Sequence, residues 1–193
     1  MCSVETLSDS PASFPLIRTS QIRFRSLQSC DLPLLVAWLN RDFVTRWFGD
    51  KVYSLDEVMA KYEPRICGEV PVNPYLMLYD GLPIGYIEMY CLADRPRYNY
   101  LVGAGPGTAG LEFFIGEWDY LYGGFDIAMV EAFLKRVVFR DCDTERCIAG
   151  ADVRNREAIQ CYEQIGFELW KLVRVPSRRH AICLMVLDHQ SIS

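Results

Sequence analysis

The sequence predicts an α/β (α+β) fold centred on one mixed sheet, and three observations carry that expectation. Asp80-Gly81 separates two strand-like runs, Pro74–Tyr79 and Leu82–Cys91, and this pair tolerates the positive φ angles of a tight hairpin. An apolar strand, Gly110–Gly116, leads through Gly123-Gly124 into residues at helical spacing, Ile127, Val130, Phe133, Leu134 and Val137. A buried strand, Cys147–Ala151, precedes an amphipathic helix, Arg154–Ile165, that Gly166 stops because a residue without Cβ readily takes the left-handed cap.

The remaining elements follow in order. Ile22, Phe24 and Leu27 mark a first strand over Gln21–Leu27, and Ser29 or Asp31 offers an acceptor to a helix whose apolar stripe is Leu34, Leu35, Trp38 and Leu39. Ser54 and Glu57 have capping-box spacing ahead of Val58, Met59 and Tyr62, so a second helix starts there and is expected to end at Pro64. Arg95 to Gly107 is rich in Pro, Gly and Asn and reads as a long loop. The glycine-rich run Gly103–Gly107 lacks a following Lys-Ser/Thr, so it is a cleft-edge loop rather than a nucleotide loop. Phe167–Val175 and His180–Leu187 close the chain as strands joined by Pro176-Ser177.

A chain of 193 residues suits one domain, here residues 21–188, with a flexible arm at 1–20 and a short tail at 189–193. The composition, 51% hydrophobic and 23% charged, is that of a soluble globular protein, and no run approaches a membrane span. The first twenty residues have neither the basic start nor the long apolar run of a secretory signal. Eight cysteines, dispersed without any CxxC, read as buried free thiols in a reducing cytoplasm. His180 and His189 are the only histidines and lack ligand spacing, so neither a metal site nor a catalytic triad is expected. A net charge of −5 offers no attraction to nucleic acid and suits a cationic small molecule.

The chemistry concentrates at Leu121-Tyr122-Gly123-Gly124-Phe125-Asp126-Ile127. A helix start presents unpaired amides and a positive dipole end, which suits a pyrophosphate if glycine lets the backbone approach; an ordinary strand-to-helix turn has the same composition. Longer runs are more specific. Ala37-Trp38-Leu39-Asn40-Arg41, Trp47-Phe48-Gly49, Gly81-Leu82-Pro83-Ile84-Gly85-Tyr86 and above all the thirteen-residue run from Asn155 to Phe167 resemble the GNAT superfamily of N-acetyltransferases. The likeness is nearest to its aminoglycoside 6'-N-acetyltransferase branch and spans about Ile22 to Val186. The hydroxamate-siderophore acyltransferases share much of the pattern.

The resemblance implies a GNAT fold: a mixed, mostly antiparallel sheet whose central strands splay, flanked by about four helices. It implies acetyl-CoA as co-substrate, held by Phe114, Ile115, Tyr122, Gly123, Gly124, Phe125, Asp126, Ile127 and Asn155. The turn departs from the family's Arg/Gln-x-x-Gly-x-Gly/Ala pattern at Leu121 and Asp126. A carboxylate beside a diphosphate repels it unless Asp126 turns away, caps its helix or is paired, with Lys51 and Arg140 as candidate bases. Glu112 matches an acidic residue of the branch and is the candidate general base; as a carboxylate in an apolar strand it otherwise needs a partner. Tyr162 matches the tyrosine near the departing sulfur, or is one aromatic of a helix stripe. Asn155 is placed to bond the pantetheine, to cap its helix, or both.

For the acceptor, Trp47, Phe48, Asp50, Tyr62, Tyr75, Glu88 and Asp152 are expected to bring aromatic faces and negative charge to the cleft. The branch's acceptor aspartate is replaced by Gly150, two residues before Asp152. The implied activity is acetyl transfer to a primary amine of a cationic, aminoglycoside-like molecule in a ternary complex, by a cytoplasmic monomer or homodimer that engages neither membrane nor nucleic acid. The alternatives are acylation in siderophore or antibiotic biosynthesis and a catalytically silent binding module of the same fold.

Overall fold

The computed structural model describes residues 16–49, 51–140, 143–175 and 179–192. Seven strands form one sheet in the order β1-β2-β3-β4-β5-β7-β6: β1 Ile22–Ser26, β2 Asn73–Tyr79, β3 Leu82–Cys91, β4 Thr108–Ile115, β5 Arg146–Asp152, β6 Glu168–Val173 and β7 Ile182–Asp188. Every neighbouring pair is antiparallel except β4 and β5. The β2–β3 hairpin turns on Asp80 and Gly81, both at positive φ (50° and 80°), as the Asp-Gly pair requires.

Six helices cover the sheet: α1 Leu32–Leu39, α2 Asp42–Phe48, α3 Leu55–Ile66, α4 Pro96–Val102, α5 Phe125–Arg136 and α6 Arg156–Ile165. On one face α5 and α6 bury Met129, Phe133 and Tyr162 against Met77, Ile87, Leu111 and Met185. On the other, α1 to α3 bury Leu35, Trp38, Val58 and Tyr62 against Leu76, Tyr86 and Phe114. Fully burying each such side chain is worth about 1.5–3 kcal/mol, so both faces are strongly specified.

Three expectations need correction. The segment 95–107 is not all loop, because Pro96 opens α4 at a position where its missing N–H costs nothing and Gly103, left-handed at φ 64°, closes it. The sequence pattern did not separate α2 from the first helix; α2 is two turns long and ends on Gly49 at φ 138°. Pro64 does not end α3, which runs on to Ile66 before the Pro64 carbonyl accepts the amides of Glu69 and Val70. Among the described residues the α-helices number six, against the about four expected. The Ser54–Glu57 capping box forms as expected. Of the thiols, Cys147, Cys161 and Cys183 are buried, but Cys30, Cys67 and Cys91 are exposed; Cys2, Cys142 and the Pro176-Ser177 turn lie outside the described residues.

Candidate active site

The two central strands part company halfway along. Parallel pairing of β4 with β5 runs from Thr108↔Arg146 to Leu111↔Ala149 and stops. Beyond it, β4 stays on β3 as far as Ile115 and β5 stays on β7 as far as Asp152. Edge groups of Glu112–Ile115 and of Gly150–Asp152 consequently face a gap, and buried backbone amides and carbonyls there need a partner.

A cavity of about 240 Å³ fills this gap. Its walls are Glu112 to Ile115 of β4, Gly150 to Asp152 of β5, Asn155, Glu157, Ala158 and Tyr162 around α6, Ile182 of β7, Leu121, Tyr122 and Asp126 at the start of α5, and Phe43, Val44, Arg46, Trp47 and Phe48 of α2. The α5 end is built by two consecutive left-handed glycines, Gly123 (φ 86°) and Gly124 (φ 82°). A Cβ on Gly124 would meet nothing within 4 Å, so backbone conformation rather than packing demands glycine there. No side chain caps α5, which leaves its opening amides available to an anion.

Glu112 is exposed in the gap, directly across the β3–β4 register from Glu88. Tyr162 is buried against Phe113 and Phe167, with ring centroids 5.9 and 5.3 Å away. Burial pushes that phenol well above its usual range, and Cys161 and Glu112 push the same way, so it keeps its proton at neutral pH. The Asn155 side chain accepts the Ala158 amide at 3.1 Å while lining the cavity, so it caps α6 and faces the gap at once. Asp152 accepts a two-pronged contact from Arg154, Nε to Oδ1 at 2.9 Å and Nη2 to Oδ2 at 3.0 Å. These hydrogen bonds hold its carboxyl below the ordinary range against the opposing effect of burial.

The acetyltransferase (GNAT) domain family matches residues 28–175. The chain belongs to the GNAT acetyltransferase family. It is 28% identical over 157 residues, 80% of this chain and 78% of the relative, to an aminoglycoside N(6')-acetyltransferase type 1 from Klebsiella pneumoniae. Among solved structures it is similar to the aminoglycoside acetyltransferase AAC(6')-Ib in complex with paromomycin and acetyl-CoA, with TM-score 0.75, 26% identity and coverage of 89% of this chain and 95% of that one. The same enzyme with coenzyme A and kanamycin superimposes with TM-score 0.74, 26% identity and coverage of 88% and 96%.

Within this GNAT cleft the sequence-derived candidates divide. Glu112, Phe114, Ile115, Tyr122, Asp126, Asn155, Tyr162, Trp47, Phe48 and Asp152 share the cavity. Gly123, Gly124 and Ile127 shape its α5 end without lining it, and the Phe125 ring packs into the core on Tyr79 and Tyr120 at 5.0 and 4.9 Å, leaving only its amide for a ligand. Three acceptor candidates are not brought to the cavity. Tyr75 lies on the opposite face against Phe133 of α5, at 5.3 Å. Tyr62 is sealed under α3 against Tyr86. Glu88, 1% exposed, is paired with Arg65 and the Tyr86 hydroxyl. Asp50 lies outside the described residues.

Of the two candidate bases for Asp126, Lys51 is engaged elsewhere. Lys51 pairs with Glu57 at 2.7 Å, and Asp126 lies near enough to Cys161 for its charge to act on that thiol. Burial first, and then Asp126, hold that thiol protonated. Of the α2 wall, Trp47 and Phe48 were among the candidates but Phe43 and Val44 were missed: the four recur at i, i+1, i+4 and i+5, a one-face helical spacing that would have flagged them.

Proposed function

We propose that this GNAT enzyme transfers acetyl from acetyl-CoA to a primary amine of an aminoglycoside-like cationic small molecule, by direct attack in a ternary complex. The observation that carries the reading is the parting of β4 from β5 with Glu112 and Tyr162 on the same cavity. The relatives' names and complexes support the acceptor class. The catalytic unit is residues 21–188, between an arm at 1–20 and a tail at 189–193, acting as a cytoplasmic monomer or homodimer without nucleic acid or membrane. Among the described residues no helix is long and apolar enough to cross a membrane.

The residues present fit the donor. Unpaired edges of Phe113–Ile115 and Gly150–Ala151 suit the amides of a pantetheine arm, Asn155 stands at its side, and the α5 amides suit a diphosphate. Acetyl-CoA supplies an activated thioester. Glu112 orients the acceptor ammonium and takes its proton, freeing the lone pair that attacks the thioester carbonyl carbon. As the C–S bond breaks, the Tyr162 phenol, protonated at neutral pH, gives its proton to the departing sulfur, and the second proton released by the acylated nitrogen returns to the phenolate. Trp47 and Phe48 offer ring faces to the cationic acceptor.

The test is thiol release from acetyl-CoA across an amine panel. Glu112→Gln is expected to lower kcat/KM by roughly 10²–10⁴-fold, the usual contribution of a positioned base, while acetyl-CoA binding persists. Undiminished turnover removes Glu112 from the mechanism. Turnover confined to hydroxylamines selects the siderophore-type acylation, and no acetyl-CoA binding at millimolar concentration selects the silent module.

A further inference from the structure

Asp152 is the carboxylate nearest in sequence to the Gly150 departure, and the structure shows it engaged from within the chain. Arg154 grips both of its oxygens through Nε and Nη2, and the Arg154 amide adds a third contact to Oδ1 at 3.0 Å. The guanidinium carbon also lies 5.9 Å from the centroid of the Trp47 ring, which lines the same cavity. One cation thus occupies a carboxylate and an aromatic face, two features that an acceptor ammonium would seek. The planar fork matches the carboxylate in a way that a single ammonium cannot, and the partner sits only two residues away, so an incoming cation must displace a tethered competitor. Gly150 contributes no carboxylate in compensation. The cavity's other charged walls are Glu112, Asp126, Glu157 and Arg46.

We propose that Arg154 is a specificity-determining residue: it serves as the built-in counter-cation of Asp152 and weakens the cleft's hold on the additional ammonium groups of an acceptor, so that fewer charges are rewarded than a bare Asp152 would reward. The inference rests on the amine-acceptor reading above and narrows its substrate class. An acceptor with one ammonium needs only Glu112, whereas the further ammonium groups of a polycation gain nothing from Asp152 while Arg154 is in place.

Calorimetry in the presence of coenzyme A tests this with kanamycin as the polycation and glucosamine as the monoamine, on the wild type, Arg154→Ala, Arg154→Gln, and Arg154→Ala combined with Asp152→Asn. Kanamycin is expected to bind both single variants roughly tenfold more tightly than the wild type, with less than about twofold change for glucosamine, and the gain should vanish in the double variant. The Gln variant covers the case in which Ala fails to fold. Unchanged or weaker kanamycin binding in both single variants, an equal gain for glucosamine, a gain that survives Asp152→Asn, or no kanamycin binding by any form overturns the proposal. Because binding is measured apart from turnover, failure of acetyl transfer would refute the proposed function without deciding the role of Arg154.

Discussion

Replacing Asp126 by Asn should strengthen acetyl-CoA binding. Asp126 stands in the first turn of α5, on the cavity wall, two residues past Gly124. A separation of roughly 6–7 Å, slightly more than the ~5.4 Å pitch of one helical turn, is taken for a diphosphate held by the opening amides of that helix. At an effective dielectric constant of roughly 40–80, each pair of unit charges at that separation repels by about 0.6–1.4 kcal/mol, so the diphosphate as a whole is disfavoured by about 1–2 kcal/mol. Removing the charge should lower Kd for acetyl-CoA roughly five- to thirtyfold. Salt screens the effect, so the gain should be larger at about 20 mM than at about 300 mM ionic strength. The same carboxylate favours the helix start by about 0.3–1 kcal/mol, so the variant should be slightly less stable although it binds better. Titration calorimetry at the two salt concentrations, paired with urea unfolding, reads both quantities. Unchanged or weaker binding, or a gain indifferent to salt, would refute a diphosphate seated at this turn.

Two further outcomes follow from carboxylates held by hydrogen bonds. Arg65→Ala leaves Glu88, 1% exposed, with Tyr86 as its remaining hydrogen bond; it should cost about 3–5 kcal/mol in urea unfolding, and the double variant Arg65→Met/Glu88→Met should recover most of that loss. A loss under about 1 kcal/mol would show the pair is dispensable. Glu117 ties α1 to the end of β4, accepting from the Trp38 indole at 2.7 Å and from Arg41 at 2.7 Å. Burial opposes its charge, but the Trp38 and Arg41 hydrogen bonds prevail and its carboxyl sits below the ordinary 4.5. A depressed folded value means its contribution is present above about pH 4.5 and is lost as pH falls through the folded value. Wild-type stability should therefore fall more steeply than that of Glu117→Gln below pH 4.5, and parallel curves by acid titration of the unfolding midpoint would contradict this.

What the sequence made legible was whatever a few neighbouring residues decide among themselves. Ser54 and Glu57 cap α3 reciprocally, Asp80 and Gly81 turn the hairpin, and Asn155 and Gly166 bracket α6, each by local hydrogen bonding or a left-handed φ. Short helices escaped because two turns carry little periodic signal and because Pro96 and Gly103, read as loop composition, are here a helix start and stop. Candidate site residues were misplaced where a distant element decides. Glu88 shares the Glu112 face of the sheet, as its register requires, yet α3 brings Arg65 over it and seals it. Tyr75 lies on the face that receives α5, a matter of strand parity fixed by the sheet's register.

The departures from the family pattern have a common address. Leu121, Asp126 and Gly150 all line the cavity. Leu121 also packs on the core and stays apolar there, Asp126 faces solvent-side volume and a thiol, and a Cβ on Gly150 would meet only the methyl ends of Ile182 at 3.1 Å and Leu184 at 3.4 Å. Those methyls can shift by the few tenths of an ångström required, so packing does not forbid an aspartate at 150. Sequence change at these positions therefore acts on the cavity wall and not on strand pairing. Arg154 belongs to the same logic: with no carboxylate at 150 and a guanidinium on Asp152, the β5–α6 wall presents Glu157 as its remaining carboxylate, and on the proposed reading Glu112 of β4 is the one that holds and deprotonates the acceptor amine.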